Sequence, residues 1–363
     1  MAQIQKKKRL LDIKVEKLEE RYLSPNEIGF WLLRDLLIKE KKGTQESSDV
    51  NTRKTIQLIK AIGNKCINEY QQSMCDLFVS ELQLKYDPST FNDYRTILVD
   101  SFGRARNDNV ITKSPFDNVK SLRCPIKPKK VFNQKQIALL SPACTDMTIE
   151  KAIVTLALCT GLRINELIAI TVNSYHRESK ILYIEQSLVS SIIKSTKTDD
   201  STRAVELSEY AIRALEFLIR LTKDHEEISY DLYIGDKVHE KRKSIFIVLN
   251  PYTGKRFRSA DNFRKAFFRP YCNEVGVEYI APKNLRHTYI SQMLTAGAPI
   301  AWIIKQVGHT DYDMIEKHYG KWIHEDSRKA QELIASHFEY LFEPNEKRSI
   351  WDRIKTFLGF SAK

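Results

Sequence analysis

The sequence predicts an α+β protein, mainly helical, with a small antiparallel β-sheet confined to its C-terminal half. Three observations carry this. Across residues 52–122 apolar side chains recur at helical spacing. Two later stretches, 180–187 (KILYIEQS) and 202–207 (TRAVEL), alternate well enough for strands. Between these halves, LRCPIKPKK (122–130) sets two prolines and four cations in a short run, which disfavours helix and marks a boundary.

At 363 residues the chain has ample core for two domains. Its 42% hydrophobic and 29% charged residues fit a soluble globular protein. A formal net charge of +12 and a pI near 9.2 point to a polyanionic partner. Nucleic acid is the default, with an acidic membrane surface as the other option. No apolar run reaches membrane-spanning length, and the start, MAQIQKKKRLLDIKVEKLEE, lacks an uninterrupted signal-peptide core. The expectation is therefore a cytoplasmic protein without a membrane segment. The six cysteines (Cys66, Cys75, Cys124, Cys144, Cys159, Cys272) are scattered with no CxxC pair, so reduced thiols and no zinc site are expected.

Residues 1–45 read as an N-terminal helical segment. Lys6, Lys7, Lys8 and Arg9 lead into Leu11, Val15 and Leu18 at helical spacing. Ser24, Pro25 and Glu27 then supply a helix start, and Phe30, Trp31, Leu33 and Leu37 an apolar face that Gly43 ends. Residues 43–51 (GTQESSDVN) are a polar linker candidate. Residues 46–122 read as a helical domain. Ile56, Ile59 and Ile62 lie near one stripe, and Cys75, Phe78, Val79 and Leu82 form another. Residues 89–95 open a third helix, through Ile97, Leu98 and Phe102. Arg95, Arg104 and Arg106 are its candidates for phosphate contact, although a bundle with no nucleic-acid role explains the stripes equally well. The link 123–131 adds Lys127, Lys129 and Lys130.

Residues 132–342 form the second predicted domain. Helices are expected near 134–140 and 149–159, and residues 194–207 read as a hairpin whose loop carries Lys197. Ser208 caps a helix through Ile212, Leu215 and Leu218. Residues 245–249 are a short apolar strand or core run, followed by a turn at 250–254. A helix over 259–274 turns Phe263, Phe267 and Tyr271 inward and ends at Gly276, while Lys255, Arg256 and Arg258 are weaker candidates for phosphate contact. Helix should continue from Trp322 to about Phe342. Residues 343–363 form an amphipathic tail with Ile350, Ile354, Phe357 and Leu358 on one stripe, seldom stable unless docked.

The densest chemistry lies in 285–322, which holds Arg286, His309 and Tyr319. A guanidinium offers a planar fork that matches two phosphate oxygens. Histidine can donate to another oxygen, and tyrosine can form a covalent intermediate. Each residue alone is more often a surface charge, a structural histidine or a packed ring, so something must converge with them. Upstream, Gly161 ends an apolar helix, Arg163 starts the next helical run, and Glu166 shares its face and can orient its guanidinium. No carboxylate cluster would hold a pair of metal ions, so no metal and no cofactor are expected.

In this order, TGLRINEL, the lysine of STKT ahead of TRAVEL, LRHT, VGH and HYGKW resemble the tyrosine recombinase (phage-type integrase) family. The resemblance covers about 131–342 and, less sharply, the helical region before it. It implies a helical core-binding domain and a catalytic domain closing as a clamp on double-stranded DNA. The implied activity is site-specific recombination through a 3′-phosphotyrosyl intermediate, integrating or excising a phage or other mobile element. By the same resemblance Tyr319 is the nucleophile, Arg163 and Arg286 clamp the nonbridging oxygens, Lys197 protonates the leaving 5′-oxygen, His309 donates a further hydrogen bond, and Glu166 supports Arg163. Lys283 stands where the family usually has the histidine of His-x-x-Arg, which leaves open what takes the tyrosine proton. His287 is expected to point off the Arg286 face, His318 to pack beside the nucleophile, and Tyr312 to lie too near His309 to serve.

The implied partners are a homotetramer on two paired sites and the docking of the tail on a neighbouring protomer, with an accessory DNA-bending or directionality factor left open. The family's β-rich arm-binding module is not legible at the start of this chain. Two alternatives remain at this point. One is a catalytically weakened DNA-binding accessory protein of the same fold, motivated by Lys283. The other is a type IB topoisomerase, against which the long helical N-terminal region and the tail weigh.

Overall fold

A computed structural model describes residues 26–32, 45–125, 129–141, 147–189, 191–195, 202–234 and 239–308, together with Tyr312, Ile315 and Tyr319. The chain divides into two units, Met1–Lys127 with Tyr233–Glu240, and Pro128–Leu232 with Lys241–Lys363.

Helices of the first unit among the described residues include α1 (Gln45–Ile62), α2 (Gln72–Lys85) and α3 (Pro88–Asn107). Pro88 sits at the first position of α3, and the Asp87 carboxylate accepts from the backbone N–H groups of Ser89 and Thr90, so this helix starts one residue earlier than expected. The α2 stripe of Cys75, Phe78, Val79 and Leu82 is buried with Phe91, Ile97, Leu98 and Phe102 of α3 and with Ile28 and Trp31. Two expectations need correction. The polar stretch 43–51 is not a linker throughout, because α1 begins at Gln45. No glycine or proline interrupts the chain from there to Ile62, so polarity alone did not break the helix.

Nor is the domain helical as far as residue 122. After α3 the chain runs through turns, with Asn109 at φ 59° and Pro115 in the path. This segment is tied back to α3: Asn92 accepts from the Leu122 backbone N–H at 2.8 Å and donates to its carbonyl at 2.9 Å. Arg95 donates to the Val119 carbonyl at 2.6 Å, and Arg106 pairs with Asp117. Most of the predicted 1–45 segment and all of the 343–363 tail lie outside the described residues.

The second unit opens with α4 (Gln134–Leu140), whose Asn133 and Gln136 cap one another's backbone, and the apolar α5 (Ile149–Thr160). Next come the single turn α6 (Ile164–Leu167) and two small sheets. One has the order β1-β2-β5, from Tyr175–His176, Ile181–Ile184 and Arg203–Glu206. The other has the order β3-β4-β6-β7, from Gln186–Val189, Ile192–Ser195, Ile228–Tyr233 and His239–Ser244. Further helices are α7 (Glu209–Thr222), α8 (Ala260–Phe263), α9 (Arg269–Glu274), α10 (Lys283–Thr295) and α11 (Ile300–Val307). A π turn, Arg264–Phe268, joins α8 to α9 and keeps Phe263, Phe267, Phe268 and Tyr271 buried.

The sheets overturn the expected hairpin over 194–207. Lys194 lies in β4, which pairs antiparallel with β3, whereas β5 pairs antiparallel with β2. The strands on either side of Lys197 therefore belong to different sheets. For the same reason the single strand expected over 180–187 is two. Gln186 is what holds the second in place, donating to the Ala169 carbonyl at 2.7 Å and accepting from the Tyr230 hydroxyl at 3.1 Å. Val189 is paired with Ile192, and Ser191 takes φ 72° to reverse the chain between them. Arg256, proposed above as a phosphate contact, instead lies with its guanidinium 3.4 Å from the centre of the Phe246 ring. Among the described residues no helix is long and apolar enough to cross a membrane.

Candidate active site

The site is assembled in the second unit where the ends of α5 and α11 meet β5 and α10. Gly161 ends α5 at φ 63°, and a Cβ there would lie 2.3 Å from Cδ1 of Tyr289 on α10. The left-handed backbone and this close approach both demand glycine. Its carbonyl accepts from Nη1 of Arg286 at 2.9 Å. A Gly161→Ala protein is expected to lose about 2–4 kcal/mol of stability and to cleave DNA more slowly, because the carbonyl that aims Arg286 moves with the strained cap. Denaturant unfolding beside a single-turnover cleavage assay checks both parts.

Arg163 precedes α6 in extended backbone, and the Glu166 carboxylate turns back to it. Oε2 accepts from the Arg163 backbone N–H at 2.9 Å and Oε1 from its Nη1 at 2.8 Å. Nη2 of Arg163 donates to the Gly308 carbonyl at 3.0 Å, yet its side chain stays 45% exposed. Both terminal nitrogens are thus held in place, on a side chain that still meets solvent.

Arg203 is a site residue that sequence reasoning missed. Its side chain is buried, with Nη2 2.8 Å from Oε2 of Glu166 and Nη1 3.3 Å from Oε1. Its Nε donates to the Gln306 carbonyl at 2.8 Å. Glu166 therefore lies between two guanidiniums, 4% exposed. Burial by itself would raise its carboxyl pKa, but the hydrogen bond and charge of Arg203, with the charge of Arg163, hold it below the ordinary glutamate range. Helix α11 is fastened to β5 nearby: Gln306 Oε1 accepts from the Glu206 backbone N–H at 3.1 Å, and Trp302 Nε1 donates to Glu206 at 3.2 Å. This seats Gly308, at φ 64°, so close to Arg203 that a Cβ would approach Nη1 within 3.0 Å.

Arg286 is 7% exposed on α10, and its Nη2 finds no hydrogen-bond partner among the described residues. Burial and then the like charge of Arg163 pull its pKa down to about 9, so the group is still a cation at neutral pH but an unsatisfied one. Tyr319 is 1% exposed and packs with Tyr289, Ile290, Leu294, Ile303, Val307 and Ile315. Burial pushes its hydroxyl well above the ordinary tyrosine range, with the Arg286 charge acting the other way. The Tyr319 hydroxyl is hydrogen-bonded to Nδ1 of His287.

Off the Arg286 face, His287 still takes part in the site, because this bond sets it beside Tyr319. Helix α10 buries Asn284, Leu285, Arg286, Thr288, Tyr289, Ile290 and Ser291, and His287 among them is half-buried, so the side beside the Arg286 face also meets the interior. The structure therefore brings together Arg163, Glu166, Arg286 and Tyr319, and adds Arg203 and His287. Lys283 is exposed in the first turn of α10, and Tyr312 is 52% exposed. Lys197, His309, His318 and Lys127 lie outside the described residues. Lys129 and Lys130 are half-buried and exposed, respectively. Among the described residues no group of three or more His, Cys, Asp or Glu side chains lies placed to hold a metal ion.

The model of the phage integrase family matches residues 130–324, over half of the chain and all of this constellation. The chain belongs to the phage integrase family. It is by that membership a tyrosine-type site-specific recombinase. Among curated relatives it is 24% identical to IntQ of Escherichia coli (strain K12) over 79% of this chain and 72% of that protein. It is 28% identical to the transposase of transposon Tn916 from Enterococcus faecalis over 64% of this chain and 58% of the relative. The prophage integrase IntR of Escherichia coli (strain K12) is 27% identical over 64% and 57%. The matched region thus spans less than two thirds of the last two relatives' length.

The fold is that of solved recombinases. The Tn1549 transposon integrase, in complex with transposon right end DNA, superposes with a TM-score of 0.63 at 18% identity, over 83% of this chain and 98% of the other. A λ integrase dimer bound to a core site gives 0.58 at 14% identity, over 86% and 82%. This mostly helical chain with two small sheets shares its fold with both.

Proposed function

We propose that this recombinase cuts and rejoins double-stranded DNA to integrate or excise a mobile element, with Tyr319 as nucleophile. The observation that carries the reading is a buried tyrosine hydroxyl within electrostatic reach of Arg286, a buried cation whose Nη2 has no hydrogen-bond partner among the described residues. Such a donor is what an incoming phosphate oxygen would satisfy. Arg163, held by Glu166 and Gly308 and still 45% exposed, is the second oxygen ligand. Lys197 then protonates the departing 5′-oxygen and His309 donates a further hydrogen bond, while Lys283 supplies positive charge beside the scissile phosphate. Tyr319 attack forms the phosphotyrosyl bond as the P–O5′ bond breaks, and an incoming 5′-hydroxyl reverses the exchange without ATP.

The functional unit in this reading is a homotetramer on two paired sites, with the described helices of the first unit and the basic residues around 123–131 contacting the DNA backbone. Arg104, Lys127, Lys129 and Lys130 are the proposed phosphate contacts. Arg95 and Arg106 join them while keeping their bonds to Val119 and Asp117. The test is strand exchange between two duplexes taken from the DNA flanking the gene, with EDTA present. Wild-type protein is expected to give recombinant joints and Tyr319→Phe none. Equal products from both proteins would end the reading. Relaxation of plasmids that lack those sequences would instead indicate a topoisomerase.

A further inference from the structure

We infer that His287 is the proton acceptor for Tyr319, an assignment that rests on Tyr319 being the nucleophile. A buried phenol must shed its proton as its oxygen attacks phosphorus, and at 1% exposure Tyr319 is served best by a side-chain acceptor at its own hydroxyl. Nδ1 of His287 is hydrogen-bonded to that hydroxyl, and it accepts the phenol proton when the ring's own proton sits on Nε2. The two rings lie 5.8 Å apart between centroids and are inclined at 49°, which puts the imidazole beside the phenol without stacking on it.

His287 follows Arg286 directly on α10, so one rigid element holds both the cation that faces the phenolate charge and the base that takes the proton. Lys283 occupies the same face one helical turn earlier but is exposed, and an ammonium has three donors and no lone pair to offer. The step balances simply. With the proton of neutral His287 on Nε2, the lone pair of Nδ1 takes the Tyr319 proton as the O–P bond forms. The imidazolium gives that proton back when a 5′-hydroxyl attacks and the phenolate leaves. Lys197 serves the other oxygen.

The assignment makes a tautomer claim that can be read without DNA. In full-length protein labelled with ¹⁵N-histidine, Nδ1 of His287 is expected to resonate as a hydrogen-bonded imine nitrogen that moves in Tyr319→Phe. A proton resident on Nδ1, donated to the tyrosine, would overturn the assignment. On pooled nicked duplexes tiling the flanking DNA, His287→Gln is expected to slow single-turnover adduct formation by about 10²–10⁴-fold. Filter binding to the same pool should be unchanged, the rate should climb steadily with pH where wild type levels off, and added imidazole should rescue His287→Gly. A glutamine variant within threefold of wild type, or a pH limb abolished by Lys283→Ala and not by His287→Gln, would refute it. A persisting adduct in Tyr319→Phe would mark failure of the underlying reading instead.

Discussion

Replacing Arg286 with methionine is expected to slow DNA cleavage on the order of 10³-fold while making the free protein more stable. The first half follows from removing a preorganised cation that meets charge on the phosphorane oxygens. The second follows from the state of the side chain without substrate. It is 7% exposed, its Nη2 has no hydrogen-bond partner among the described residues, and Arg163 repels it. A flexible apolar side chain of similar length removes that desolvation burden, set against the loss of one hydrogen bond to the Gly161 carbonyl, worth about 1 kcal/mol. Single-turnover cleavage and denaturant unfolding of the same preparations give the two signs. A variant that loses stability along with activity would mean Arg286 holds the fold together and is not a strained site group.

Arg203→Met is expected to do the opposite to stability, costing about 3–5 kcal/mol. It strands the Glu166 carboxylate in the interior with Arg163 as its remaining ion-pair partner among the described residues, and Arg163 is 45% exposed. Cleavage should fall as well, because Glu166 sets the Arg163 fork and Arg203 supports Gly308. The sign of the pH effect is fixed by the lowered Glu166 pKa. A carboxyl depressed in the folded state contributes stability that is full above its unfolded pKa, about 4.3, and is lost as pH falls through the folded value. Wild type should therefore keep this contribution into moderate acid, whereas Arg203→Met should lack it at every pH. Adding Glu166→Gln to Arg203→Met should recover part of the loss, and a strictly additive double variant would show that the two side chains do not act as a pair.

These two arginines show what the residue pattern could and could not disclose. Helix ends were readable where their chemistry is local: Ser208 caps α7, and Gly161 ends α5 in left-handed backbone. The motif order likewise disclosed the family. Strand partnership was not readable, because β4 and β5 look adjacent and only the long-range pairings of β5 with β2 and β4 with β3 separate them. A signal for Arg203 was present and unused. In TRAVEL it alternates with Val205, which is fully buried, so the arginine had to face inward too. His287 was misjudged for a different reason, since α10 is buried on more than one side and a residue off the Arg286 face still meets the interior.

The most direct measurement is to trap the covalent protein–DNA adduct on nicked duplexes from the flanking DNA and map the modified peptide by mass spectrometry. The expected result is a single phosphotyrosyl linkage on Tyr319, made in EDTA and absent from Tyr319→Phe. Linkage at the exposed Tyr312, or an adduct that survives in Tyr319→Phe, would contradict the account.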